Sequence, residues 1–90
     1  MARFDVTSFE LTELGAAGNT PDALLELGLL YCAGRDDVGI DLVSAHKWFN
    51  LAAMRGNAEA KRYRMEIARE MSKREIAEAQ RRAREWLARH

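Results

Sequence analysis

The sequence has little of what builds a reactive, cross-linked or membrane-spanning protein. One of its 90 residues is cysteine and one is proline. A single thiol, Cys32, forms no intrachain disulfide and assembles no thiolate zinc cluster. β-branched residues are few and nowhere alternate with polar ones over a strand length, so no strand signal competes with a helical one. Charge-free stretches such as residues 27–34 and 42–46 fall far short of the ~20 apolar residues that a membrane-spanning helix needs. The opening Met1-Ala2-Arg3-Phe4-Asp5 lacks the apolar core of a secretory signal, and the expectation is a cytoplasmic protein without a membrane partner.

What is present points to one small helical domain. A chain of this length has room for a single core. Hydrophobic residues make up 48% of it and charged residues 31%, which is apolar enough to fold and argues against disorder. Formal net charge is zero, yet residues 1–60 carry four basic and nine acidic side chains, whereas residues 61–90 carry ten basic and five acidic. The two parts stand at −5 and +5.

Caps and apolar spacing place the helices. Thr20 suits an N-cap and Pro21 the first helical position, with Ala23, Leu27, Leu30 and Tyr31 on one face and Gly34 as the stop. Residues 35–40 read as a loop. Asp41 caps the next helix, in which Ala45, Trp48, Phe49, Ala52 and Ala53 form the apolar stripe and Gly56 the end. Asn57 caps a third helix with Ala60, Tyr63, Ile67 and Met71 inward. Ser72 and Glu75 form a capping box for a fourth, with Ile76, Ala79, Ala83, Trp86 and Leu87 inward. A weaker box, Thr7 and Glu10, opens a short helix over residues 7–18 with Phe9, Leu11 and Leu14. Gly28, inside a helix, costs about 1 kcal/mol relative to alanine. Close helix approach is the expected compensation, with Ala45, Ala52 and Ala53 as the small partners.

The chain also repeats itself. Gly18-Asn19 before Ala23 recurs as Gly56-Asn57 before Ala60, an offset of 37 residues at the alanine, which is the period of paired-helix solenoids. Residues 23–60 resemble the Sel-one-like repeat, a relative of the tetratricopeptide repeat. Ala23, Leu27, Gly28, Tyr31, Gly34, Val38, Asp41, Ala45, Trp48, Ala52, Ala53, Gly56 and Ala60 match its pattern. The resemblance implies an all-α, short α-solenoid of antiparallel helical hairpins that binds protein and catalyses nothing. The loop Arg35-Asp36-Asp37 replaces the usual glycine before Val38. At the 37-residue offset Leu27, Gly28 and Tyr31 fall on Arg64, Met65 and Ala68, so the second repeat has lost its signature. The expected organisation is one domain over 1–90: a half-repeat helix at 7–18, one repeat at 20–57, and a C-terminal capping hairpin at 58–90.

No catalytic, metal or cofactor site is expected. Cys32 and His46 lack a third group to orient them, so Cys32 reads as a packed small hydrophobe and His46 as a helix-surface residue. His90 sits at the chain end. Asp36, Asp37 and Asp41 lack the alternating carboxylates, glycine and final glutamate of a calcium loop. Tyr31, Trp48 and Phe49 read as core rather than as a ligand cage. Trp86, with Arg81 and Arg82, is a candidate partner contact, because tryptophan is enriched at binding hot spots. The basic residues after 60 raise nucleic-acid binding as the alternative, but the interleaved Glu66, Glu70, Glu75, Glu78 and Glu85 favour a solvated face. The expected partner is therefore another protein. Because the array is short and its halves are oppositely charged, a homodimer with closed two-fold symmetry is expected as well.

Overall fold

In each helix the first turn is closed by a side chain of the residue before it. The computed structural model describes residues 20–34 and 39–89. Thr20 accepts a hydrogen bond from the Ala23 N–H at 3.1 Å and starts α1, Pro21–Ala33. Asp41 accepts from the Ser44 N–H at 3.1 Å and from its hydroxyl at 2.8 Å, starting α2, Leu42–Met54. Asn57 does the same for Ala60 at 2.8 Å and starts α3, Ala58–Ala68. Ser72 and Glu75 bond reciprocally, at 2.8 and 3.1 Å, at the head of α4, Lys73–Arg89. Each interaction satisfies backbone donors that a helix start leaves without partners. The described residues are all helix and connection. The expected helix over 7–18, the loop residues Arg35, Asp36, Asp37 and Val38, and His90 lie outside them.

Among the described residues α2 is central, and the other three described helices pack on it. α1 ends at Gly34, whose φ of 66° is open to glycine without the penalty a side chain would bring. The chain then returns antiparallel along α2, tied by the Asp41 N–H to the Tyr31 carbonyl at 3.0 Å. α2 turns at Gly56, with φ 106°, into α3, which also runs antiparallel to it. Phe49 of α2 stacks on Tyr63 of α3 with ring centroids 5.3 Å apart, and Arg64 donates to Asn50 Oδ1 at 2.6 Å. Two antiparallel steps leave α1 and α3 running parallel. Asn57 Nδ2 accordingly donates to Asp22 Oδ1 at their starts, and Glu66 and Glu70 act electrostatically on Cys32 at their ends. α4 reaches α2 through Trp86, whose ring meets Trp48 edge-on at 5.7 Å and 82°.

The core comprises Leu24, Leu25 and Leu27 of α1, Ala45, Trp48, Phe49, Leu51 and Ala52 of α2, Ala60 and Ile67 of α3, Met71, and Ala83 and Trp86 of α4. Three expectations change. On α1 the buried face is Leu24, Leu25, Leu27 and Gly28, while Ala23, Leu30 and Tyr31 are only partly buried. Leucines surround this helix, so apolar spacing alone does not choose a side. The partner of Gly28 is not an alanine: a Cβ there would overlap the ring of Phe49. His46 is not at the surface but 3% exposed. It lies one turn before Asn50, on the side of α2 that meets Arg64, and a helix covered by three others has few outward positions.

Candidate interaction surfaces

The repeat-signature residues divide into two groups. Leu27, Gly28, Ala45, Trp48, Ala52 and Ala60 are buried at the helix crossings. Ala23, Tyr31, Gly34, Asp41 and Ala53 are half-buried, and Gly56 is exposed in its turn. Their small side chains bring the backbones together around Trp48 and Phe49. None of them lines either of the two grooves described below.

Cys32, His46 and Asp41 each have a local structural setting. No group of three His, Cys, Asp and Glu side chains placed to hold a metal ion occurs among the described residues. Burial, then the charges of Glu70 and Glu66, push the Cys32 thiol above its ordinary pKa, opposite to what a nucleophile needs. Burial, then the nearby Arg64, hold His46 below its ordinary value, so its ring is neutral at pH 7. Its Nδ1 and the Trp48 Nε1 are buried without hydrogen-bond partners among the described residues. Asp41 is occupied in capping α2.

The basic face of α4 is a lattice of ion pairs. Arg81 bonds both Glu78 and Glu85, and Arg82 donates to Glu78 at 2.7 Å. Hydrogen bonds from Arg81 and then Arg82 lower the Glu78 carboxyl to about 2, so it remains charged at any physiological pH. With Lys47 of α2, Trp86 and Arg89 these groups line a groove of about 300 Å³. Arg81 and Arg82, singled out as candidate contacts, are therefore engaged by carboxylates of their own helix. Trp86 is 9% exposed and packs on Trp48, with the Arg55 guanidinium over its ring at 5.7 Å.

A second groove, of about 260 Å³, runs along α3 alone, lined by Ala58, Lys61, Arg62, Met65, Glu66 and Arg69. These residues recur three and four apart and form one helical stripe. Met65 is 56% exposed, and the flanking cations are exposed as well. Sequence reading counts the arginines and lysine as part of a solvated face and passes over Met65. The available signal is an unbranched apolar side chain standing 37 residues after Gly28, the offset that separates Ala23 from Ala60.

No protein-family model, curated protein or solved structure matches this chain.

Proposed function

We infer that the chain is a non-catalytic protein-binding module, a short paired-helix array of the Sel-one-like type. The observation that carries this reading is the course of the helices. α1 and α3 run parallel, each packed antiparallel on α2, as first helices of successive repeats do in such arrays. Burial of Leu27, Gly28, Ala45, Trp48, Ala52 and Ala60, all positions of the repeat pattern, supports it further. Stacked helical repeats touch only their neighbours and leave long helix faces for recognition. α3 has such a face, with an exposed methionine among cations.

The test is capture of a tagged chain from nuclease-treated native lysate, followed by mass spectrometry. The reading expects a protein recovered in near-stoichiometric amount after nuclease treatment. Recovery of nucleic acid alone, or of the bare chain under every condition, contradicts it.

A further inference from the structure

The groove on α3 acquires a meaning when the two parallel helices are put in register. Thr20 and Asn57 both cap helices and stand 37 residues apart, the same offset as Ala23 and Ala60. At that offset Lys61, Arg62, Met65 and Arg69 correspond to Leu24, Leu25, Gly28 and Cys32. On α1 this stripe faces the core: Leu24 is 0% exposed, Leu25 9%, and Gly28 lies against Phe49 of α2. On α3 the same stripe is bare. The face that α2 covers on α1 has, among the described residues, no helix over it on α3.

The chain itself explains why α4 does not fill it. Residues 34–41 connect α1 to α2, whereas only residues 69–72 connect α3 to α4. α4 leaves α3 after this short link and packs on α2 through Trp86 and Trp48. Met65, which stands 37 residues after Gly28, is left 56% exposed.

We propose that the bare stripe of α3 receives an acidic amphipathic helix from another protein, laid antiparallel to α3 as α2 lies on α1. The proposal rests on the protein-binding reading above and names the partner's chemistry. The stripe repeats with helical period, so a helix meets it along its length. Met65 and Ala58 supply apolar contact. Lys61, Arg62 and Arg69 outnumber Glu66, and Lys61 and Arg69 have no carboxylate partner among the described residues. A second copy is the competing occupant and is an outcome of the test below, although several carboxylates of its described helices are already engaged. Glu78 and Glu85 hold arginines of α4, Glu75 closes a capping box, Asp22 accepts from Asn57, and Glu59 lies 3.6 Å from Arg62.

The experiment uses two labelled synthetic helices of about 18 residues, roughly five turns. Both carry leucine at i, i+3, i+4 and i+7 spacing; one has glutamate elsewhere and its twin has lysine. Fluorescence anisotropy at about 0.1 M salt compares their binding to the wild-type chain, to Met65→Glu, and to the Lys61→Glu/Arg69→Glu double variant. All substituted positions are exposed, and circular dichroism melting checks that each variant folds. The acidic helix should bind the wild type at least ~10-fold more tightly than its twin, and each variant should lose about 10-fold. Equal binding of the twins, no binding up to about 1 mM, or variants that bind like the wild type overturn the proposal. So does sedimentation showing a wild-type dimer that Met65→Glu makes monomeric, because the occupant is then a second copy. A captured protein partner that Met65→Glu still retains removes this docking face while leaving the protein-binding reading intact.

Discussion

Trp48 is the largest side chain shut wholly inside the molecule, at 1% exposure, and it joins α2 to α4 through the Trp86 ring. Replacing it with alanine opens a cavity at the meeting point of helices and should cost about 3 to 5 kcal/mol. That approaches the entire stability of a small domain, so Trp48→Ala should show no cooperative thermal transition by circular dichroism. Gly28 sets two effects against each other. Alanine there improves helix propensity by about 1 kcal/mol, but its methyl meets the Phe49 ring, and overpacking of this kind costs about 1 to 3 kcal/mol. Phe49 is stacked on Tyr63 and cannot step aside, so the collision should win. Gly28→Ala should lower the melting temperature, and adding Phe49→Leu should recover part of the loss.

His46 has the opposite relation to solvent from the one its polarity implies. Its imidazole is 3% exposed, with Nδ1 unpartnered among the described residues and the charge of Arg64 nearby. Burial and that charge keep the folded pKa below the ordinary value of 6.5, so the unfolded chain takes the proton more readily. The contribution is fully present above about pH 6.5 and is lost as pH falls toward the depressed folded value. Between about pH 7 and pH 5 the wild-type melting temperature should drop more than that of His46→Asn. Parallel curves for the two proteins would show that the buried ring does not govern acid sensitivity.

At the scale of the element, each helix start is a local chemical event and can be read without tertiary information. Thr20, Asp41, Asn57 and Ser72 act as caps, and Gly34 takes the left-handed conformation its place in the sequence requires. Ser72→Ala removes one side of a reciprocal pair and should cost about 1 kcal/mol, seen as a lower urea midpoint with an unchanged slope. Which face each helix buries is less readable. Leu24, Leu25, Leu27, Leu29 and Leu30 surround α1, and only the arrival of Phe49 at Gly28 selects a side. Likewise α2 is expected to hide one stripe, but it is enclosed by three helices, which is why His46 is buried. Ion-pair spacing on α4 is readable in advance: Glu78, Arg81, Arg82 and Glu85 stand three and four residues apart and do pair. No spacing rule shows that α4 turns from α3 to α2, because that depends on a short link and on one tryptophan finding another.

At the scale of the whole molecule, no helix among the described residues is long and apolar enough to cross a membrane. The arrangement leaves α3 half-covered. Its inner side, Ala60 and Ile67, belongs to the core, and its outer stripe presents Met65 between cations. That asymmetry goes with two differences between α3 and α1, a methionine 37 residues after Gly28 and a shorter link to the helix that follows. The central claim is that this face binds a protein helix, and methyl NMR reads it directly. The chain has four methionines, of which Met54 and Met65 are exposed and Met71 is buried. With methyl-labelled methionine, titration with the acidic amphipathic helix should shift the Met65 resonance saturably while Met54 and Met71 hold their positions. A bound helix that leaves Met65 unmoved, or a Met65 signal that never responds at saturating peptide, would contradict the account.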